Sequence, residues 1–230
     1  MKLKSRTLFI YFIAAGFGTI GCSGPKQYIS KRPVNDVKSV LIIGPFADIR
    51  TIHTGDRMQF DYEMSSEVYK EMKGQIPALV PDGVKINTIT ADSVSQKLLL
   101  TAAEKIVEEI TSRKVAAKQV VVPQVLLNML DSVGQNFGFF IMQAGFSRTQ
   151  NNYINHLYYN RAAVNVLTLG NVTYIPYRDG STMIGFIIDR KNGNLAYYKK
   201  IFWQQRDPTE KIVIKGQLHD LMMSYFQHSK

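Results

Sequence analysis

The sequence has few of the residues from which catalytic and metal centres are usually built. Cys22 is the single cysteine among 230 residues, so the chain forms no internal disulfide and supplies no cysteine-rich zinc or iron–sulfur site. The four histidines are scattered, and no two have the spacing of the zinc motif H-E-x-x-H. Neither the phosphate-binding pattern G-x-x-x-x-G-K-S/T nor the serine elbow G-x-S-x-G occurs. We therefore expect a non-enzymatic protein without cofactor or metal.

Acidic residues are also scarce relative to basic ones. The chain has 18 Asp and Glu against 28 Lys and Arg, a formal charge of +10. Such a surface can lie near anionic lipid headgroups or cell-wall polymers, or be an unspecific solvated surface. Apolar residues make up 45% of the chain, which is ordinary for a globular protein and enough to bury a core.

The first 21 residues have the features of an export signal. Three basic residues precede the apolar run 8–15, which is too short to span a bilayer comfortably. Small residues follow, and Cys22 comes directly after Thr19-Ile20-Gly21. Because residues 1–21 contain no acidic residue, their removal would leave a body of charge +7. Nucleic acid is a poor partner for a protein that leaves the cytoplasm.

This arrangement resembles the lipobox of bacterial lipoproteins, although Thr19 stands where leucine is usual. The resemblance implies that the cysteine thiol receives a diacylglyceryl group and that Cys22 becomes the new N-terminus. Two or three acyl chains, such as palmitate, anchor a protein stably, since each buried CH₂ contributes roughly 0.8 kcal/mol. Ser23 favours the outer membrane by the proteobacterial sorting pattern, with a periplasm-facing domain; surface exposure stays open. The alternative is an ordinary signal peptide with a chance cysteine.

The first half of the body predicts alternating strands and helices. The continuous apolar run 39–46 is typical of a strand buried on both faces, and the polar residues 47–60 predict a loop. A helix follows, ended by Pro77, Pro81 and Gly83, because apolar residues recur every four positions: Met64, Val68, Met72 and Ile76. The remaining predicted elements are a strand over 84–89, a helix from Ser93 to near Ala117, and a strand over 119–129.

The second half predicts antiparallel strands and a closing helix. Residues 131–155 are neither a clean helix nor a clean strand, whereas 157–169 and 172–175 have strand composition. The runs 182–189 and 195–203 flank Asn192-Gly193, which is a strong hairpin signal. The last helix opens at Asp207-Pro208-Thr209-Glu210. Its predicted buried residues are Ile214, Leu218, Leu221 and Tyr225.

These elements predict an α/β to α+β fold with a single mixed sheet and packed helices. The expected order is βαβαβ, then antiparallel strands, then a C-terminal helix. Residues 1–21 are assigned to a signal peptide, 22–37 to a flexible tether and 38–230 to a single domain.

The order and several local residues resemble the periplasm-facing lipoproteins of the CsgG / TolB N-terminal domain / LpoB type. Ile42-Ile43-Gly44-Pro45-Phe46 matches the apolar run and Pro-Phe that end the group's first strand, and residues 120–127 match the strand that introduces its antiparallel part. A hairpin with Asp before the turn and Gly within it matches 188–193, and a closing helix matches 210–226. Residues 131–155 depart from the group. The resemblance implies an accessory or assembly role, with envelope proteins or further copies of the chain as partners.

The segment 135–146 is the preferred candidate for a partner-binding surface. It combines glycines with apolar side chains that are unusual in an exposed loop: Phe137, Phe139, Phe140, Ile141, Met142 and Phe146. The alternative is that these residues cover the sheet as ordinary core. Membrane entry, as in an insertion of CsgG-type proteins, is a weaker option.

A second candidate site lies near the end of the first predicted strand. Four acidic residues cluster there, at the end of a parallel strand where ligands of open α/β sheets usually bind: Asp48, Asp56, Asp61 and Glu63. They support an alternative function as a small-ligand or glycan-binding lipoprotein, although a solvated loop is the simpler interpretation. A hydrolase with a dispersed active site is the least favoured hypothesis.

Overall fold

The computed structural model describes residues 27–29, 37–88, 93–113, 115–169 and 175–226. The predicted signal peptide and Cys22 lie outside the described residues. The strands are β1 Gln27–Ile29, β2 Ser39–His53, β3 Arg57–Phe60, β4 Lys85–Thr88, β5 Phe137–Arg148, β6 Asp179–Asp189 and β7 Asn194–Gln204. The helices are α1 Tyr62–Leu79, α2 Ser93–Thr111, α3 Gln124–Ser132, α4 Gln150–Thr168 and α5 Lys211–Phe226, with a 3₁₀ turn at Ala117–Gln119.

All seven described strands belong to one mixed sheet. Their order is β1-β7-β6-β5-β2-β3, and β4 also pairs with β2. The pairs β2–β5 and β2–β4 are parallel, while β5–β6, β6–β7, β1–β7 and β2–β3 are antiparallel. The predicted fold class, a single mixed sheet with packed helices and a C-terminal helix, is therefore confirmed.

Helices cover both faces of the sheet, which explains the continuous apolar runs in its central strands. On one face, α1 and α5 pack over alternate strand residues such as Ile42, Phe139 and Tyr197. On the other face, α2 and α3 pack over the intervening residues such as Ile43 and Phe140. Each face thus has its own apolar core.

A fully buried polar network joins the sheet to the chain before and within α5. Gln143 Nε2 donates to Ser181 Oγ at 2.9 Å and to the Pro208 carbonyl at 2.8 Å. Ser181 Oγ donates to Gln217 Oε1 at 2.7 Å, and Gln217 Nε2 donates to the Ser181 carbonyl at 3.0 Å. Burial makes each of these bonds costly to leave unmade, so the network fixes how α5 sits on the sheet.

Several predicted elements are confirmed with adjusted bounds. The strand predicted at 39–46 is the first half of β2, the predicted helix around Met72 is α1, and the Asn192-Gly193 hairpin joins β6 to β7. Pro77 does not stop α1, which continues to Leu79. The predicted strand at 84–89 is β4, α2 ends at Thr111 rather than near Ala117, and α5 begins at Lys211.

The loop predicted over 47–60 is wrong. β2 continues to His53, with Ile49 and Ile52 both buried, and a turn then leads into β3. Gly55 and Asp56 both have positive φ in that turn. The segment 47–60 reads as a loop because it includes β3, whose four residues are all exposed.

Two predicted strands are helices. Within 119–129, Pro123 precedes α3, where the lack of an N–H is tolerated, and Leu126 and Leu130 are buried one turn apart. Residues 157–169 belong to α4 and its C-cap, since Thr149 accepts a hydrogen bond from Asn152 N and caps the helix. Ile175 is not in a strand, and residues 172–174 of that predicted strand lie outside the described part.

The predicted tether over 22–37 is wrong in part, because Gln27–Ile29 form β1. Gln27 lies opposite Lys199 and Ile29 opposite Tyr197, antiparallel to β7. Tyr28 is half-buried against the second core, and Val37 is buried in the first. The sheet therefore begins before residue 38, the predicted start of the domain.

Candidate functional site

The preferred partner-binding segment forms strand β5, in the middle of the sheet. Phe137, Phe139, Phe140 and Ile141 are buried, because β2 and β6 pair with β5 and helices cover both its faces. These four residues are therefore part of the ordinary core, as in the alternative interpretation of this segment. Met142 is half-buried against the core of the α2 face.

Phe146, the last member of that segment, is half-buried at the end of β5. Its ring centroid lies 5.8 Å from the Arg148 guanidinium carbon, and its ring fills the space over Gly180. Burial of the preceding residues removes the exposed apolar surface on which the prediction depended.

The four acidic residues predicted to form a ligand site are not brought together. Asp48 forms an ion pair with Arg50 at 2.8 Å. Asp61 caps α1 by accepting from Met64 N at 3.0 Å and also accepts from Thr51 Oγ1, whereas Glu63 is exposed in the first turn of α1. Asp56 lies in the β2–β3 turn, where it meets α4. No shared carboxylate site results.

A groove does open beside that segment, because β2 lacks a strand partner over part of one edge. β5 pairs with one edge of β2. On the other edge, β4 pairs with residues 39–42 and β3 with residues 50–53. Residues 43–49 of that edge therefore face neither of these strands.

The local conformation of β2 at this gap requires glycine. The register between β2 and β5 shifts between Ile43 and Phe46, and the Gly44-Pro45 peptide is cis. Gly44 has φ of 111°, and a Cβ there would lie 2.9 Å from the Ile141 carbonyl oxygen. A glycine–proline pair inside an apolar run is a sequence signal for such an irregularity.

The start of α1 satisfies the backbone at one end of the gap. The Ile49 N–H donates to Ser65 Oγ at 3.0 Å, and the Ile49 carbonyl accepts from Asp61 N at 2.9 Å. The buried Ser65 thus takes the place of a neighbouring strand, and α1 forms one wall of the groove.

The groove encloses a cavity of about 430 Å³ with mainly apolar walls. Phe60 and Tyr62 meet edge to face at its rim, with ring centroids 4.7 Å apart, and the Tyr62 side chain is 83% exposed. Lys73 lies 5.8 Å from the centroid of the Tyr69 ring and is the only charged side chain among the described lining residues. Such a site suits an apolar or aromatic group with a polar or anionic neighbour.

The described residues offer no metal centre. No group of three or more His, Cys, Asp or Glu side chains in that part of the chain is placed to hold a metal ion. The groove itself is lined by no described histidine or acid.

A second region, the start of α4, is built around Asn152, which is 2% exposed. Asn152 Oδ1 accepts from Arg148 Nη1 at 2.6 Å, and its Nδ2 donates to the His53 carbonyl at 2.9 Å and to Asp56 Oδ1 at 3.2 Å. These bonds clamp α4 to the ends of β2 and β5.

His156 completes the clamp one turn further along α4. His156 Nε2 lies 2.6 Å from Asp56 Oδ1, and Asn160 Nδ2 lies 2.8 Å from His156 Nδ1. The hydrogen bond from His156, with those from Asn152 and Arg148, lowers the pKa of Asp56 below its ordinary value. The contacts that hold α4 therefore stabilise the charged form of Asp56.

Beyond this clamp, α4 packs against little of the described chain. Neither apolar core contains a residue of α4, and several of its large apolar side chains are exposed: Tyr158, Tyr159, Val166 and Leu167, followed by Leu169. Sequence reasoning missed this surface because β-branched and aromatic residues in 157–169 favour a strand. The signal that could have identified it is the Thr149 cap with Asn152 three residues later.

No described helix is both long enough and apolar enough to cross a membrane. Neither α4 nor the helices of the two cores meet both conditions.

Comparisons with known proteins give only distant likenesses. No model of a known protein family matches the chain, and no curated protein matches it. The chain is similar to the solved PelC dodecamer from Paraburkholderia phytofirmans, at 8% identity and a TM-score of 0.34, over 86% of this chain and 98% of that one.

Two further solved structures show similar levels of likeness. The LpoB C-terminal domain from Salmonella enterica has 10% identity and a TM-score of 0.28, over 74% of this chain and 84% of that one. Lipoprotein GNA1162 from Neisseria meningitidis has 10% identity and a TM-score of 0.30, over 84% and 98%. These likenesses assign neither an activity nor a partner to this chain.

Proposed function

We propose that this chain is a lipoprotein of the bacterial outer membrane, anchored through Cys22, that acts as a non-enzymatic accessory component of an envelope complex. The observation that carries the proposal is the place of the only cysteine, directly after a leader and five residues before β1. Five residues span at most about 18 Å. Acyl chains at Cys22 would therefore hold the domain close to the bilayer, with the periplasmic side as the proposed location.

The groove beside β2 is the proposed contact site for a protein partner. Its aromatic rim and apolar cavity suit an apolar anchor side chain of another envelope protein, since such anchors in pockets dominate many interfaces. The exposed rings of Tyr62 and Tyr69 supply contact area on the α1 side. Lys73 adds one positive charge at the rim, which favours a partner segment with a nearby carboxylate.

Anchoring is tested with Cys22→Ser in the native host. The unchanged protein is expected to incorporate labelled palmitate and to fractionate with the outer membrane, whereas the variant should do neither. Soluble fractionation of the unchanged protein, or membrane fractionation of the variant without label, would refute the proposal of lipid anchoring.

The contact site is tested by co-purification from a detergent extract. Tyr62→Ser with Tyr69→Ser should remove a stoichiometric protein partner, while Val121→Ser, which also changes an exposed apolar side chain, should retain it. Retention of the partner by the double variant would place the contact elsewhere.

A second candidate function is the capture of a small apolar ligand in the same groove. The cavity volume of about 430 Å³ favours it, because ligand pockets typically measure roughly 300–1,000 Å³. Native mass spectrometry of the purified protein separates the two candidates. A bound small molecule that the double variant loses would support ligand capture over assembly.

A further inference from the structure

Helix α4 is an element without an adequate partner in the described chain. It has 19 residues, five of them asparagine, and the single buried one is Asn152. Most helical stability in proteins comes from packing an apolar face, and asparagine is a poor helix former. A covering surface outside the described residues would therefore stabilise α4.

The exposed surface of α4 is rich in apolar and aromatic side chains and free of acid. Tyr158 and Tyr159 are exposed beside Arg161, and Leu167 and Leu169 are more than four-fifths exposed at the far end. The sequence contains no Asp or Glu between residues 132 and 178. Tyrosine and arginine beside aliphatic residues are typical of surfaces that lie at the boundary between acyl chains and headgroups.

The register of the sheet places α4 at the end from which the anchor departs. β1 runs antiparallel to β7 with Gln27 opposite Lys199, so the N-terminal end of β1 points toward the Gln204 end of β7. Gly180 lies opposite both Gln204 and Phe146. The N-terminal end of β1 therefore points to the same end of the sheet as the end of β5, where α4 begins.

The lateral distance at that end is short. Three strand spacings separate β1 from β5, which is about 14 Å. Cys22 is at most about 18 Å of chain from Gln27. A bilayer that holds the acyl chains would thus lie within reach of α4.

Three acidic groups at this end of the sheet are engaged in local bonds, two of them with basic side chains. Asp56 is bonded to His156 and Arg148, and Asp179 faces Arg178 and accepts from Ser147 Oγ. Asp207 accepts from Thr209 N and Oγ1.

We propose that α4 docks on an anionic phospholipid surface beside the lipid anchor, with its tyrosines at headgroup level and Arg161 among the phosphates. This inference rests on the proposed anchoring at Cys22. It assigns α4 to the membrane and leaves the groove beside β2 for the protein partner.

The test uses the full lipidated protein, reconstituted into vesicles of phosphatidylethanolamine with phosphatidylglycerol. Acylation removes the free thiol of Cys22, so Tyr159→Cys introduces one labelling site on α4. Lys191→Cys, in the β6–β7 turn at the opposite end of the sheet, is the matched control. Each carries an environment-sensitive fluorophore, and quenchers are placed in the lipids.

We expect a blue shift and lipid quenching for the label at position 159 and neither for the label at position 191. Adding Arg161→Glu should lower the ratio of docked to undocked α4 about 30-fold, because it changes two charges at about 1 kcal/mol each. Phosphatidylcholine vesicles should weaken docking about 5-fold, because only the attraction of the Arg161 charge, about 1 kcal/mol, is lost. Unchanged thermal unfolding would verify that the exposed substitution at Arg161 preserves the fold.

Three outcomes would overturn the inference, and one of them also tests the anchor. If the protein floats with the vesicles but the label at 159 is not quenched, α4 docking is wrong and the anchoring stands. If the label is shielded equally in detergent and crosslinks to another copy, a second chain covers α4. If the protein does not float with vesicles, the proposed anchoring itself is wrong.

Discussion

The substitution Asn152→Ala tests whether α4 is a separately stabilised element. It removes the bond that Asn152 accepts from Arg148 and the bond that it donates to the His53 carbonyl. A neutral hydrogen bond contributes roughly 1 kcal/mol net and one to a charged group roughly 1.5 kcal/mol or more. The bond to Asp56 adds nothing to this sum, because water replaces it at an exposed carboxylate.

The expected loss is therefore about 2–3 kcal/mol, confined to α4. Because α4 contributes to neither core, its opening does not require the sheet to unfold. Hydrogen exchange should show protection across α4 falling about 30- to 150-fold, with β5 and α5 unchanged. Asn151→Ala is the matched control, since Asn151 is the preceding asparagine and is exposed.

One result would refute this reasoning. If Asn152→Ala lowers protection in β5 and α5 in step with α4, the helix unfolds together with the sheet and is not a separate unit. Equal effects of Asn151→Ala and Asn152→Ala would instead mean that the clamp contributes no specific stability.

Three further predictions concern stability and are tested by chemical denaturation or NMR titration. Gly185→Ala should destabilise the fold by about 1–3 kcal/mol, because its Cβ would lie 2.6 Å from a buried leucine of α5. Gly74→Ala, which has open space around it in α1, should stabilise the fold by about 0.5–1 kcal/mol. Changes of the same sign in the two variants would contradict this prediction. Tyr197→Phe should cost about 1 kcal/mol because it removes a 2.6 Å bond to a helix carbonyl, but Tyr198→Phe should cost nothing, since no described group bonds its buried hydroxyl. Because the pKa of Asp56 is lowered in the folded protein, its stabilising contribution is present above the ordinary carboxyl range and is lost as pH falls through the folded pKa. In an NMR titration, α4 resonances that do not respond to acid would argue against this prediction.

Elements with strong local patterns could be predicted from the sequence. The four-residue spacing through Val68 and Met72 predicts α1, and both side chains are fully buried. Asn192-Gly193 predicts the β6–β7 hairpin, where Gly193 has the positive φ that the turn requires. In both cases the pattern of neighbouring residues is enough to predict the conformation.

The errors arise where contacts distant in sequence decide the structure. The β-branched and aromatic residues 157–169 favour a strand by propensity. The Thr149 cap and the bonds of Asn152 to the end of β2 and to the β2–β3 turn start a helix there instead. Phe139 and Phe140 point to opposite faces of a central strand. Their glycine neighbours resemble those of a loop, and only the two covering layers of helices explain so continuous an apolar run.

The candidate groove was only partly accessible to sequence reasoning. Gly44-Pro45 signals an irregular strand, yet the gap itself depends on β3 and β4 pairing with different halves of β2. The predicted ligand segment 48–63 borders the groove through Phe60 and Tyr62. Its acidic residues were misleading because each is used for a local bond, an ion pair or solvation.

The pairing of β1 with β7 has a mechanical consequence for a domain held by its N-terminus. Tension between the bilayer and a partner bound elsewhere on the domain would act on the fold at Gln27, along the axis of β1. Load in that direction strains the β1–β7 hydrogen bonds together, in shear, and does not peel them open one after another. The three-residue pairing of β1 with β7 can thus resist tension. Its loss would lengthen the chain between the membrane and the rest of the sheet, and it would remove the contact of Tyr28 with the second core.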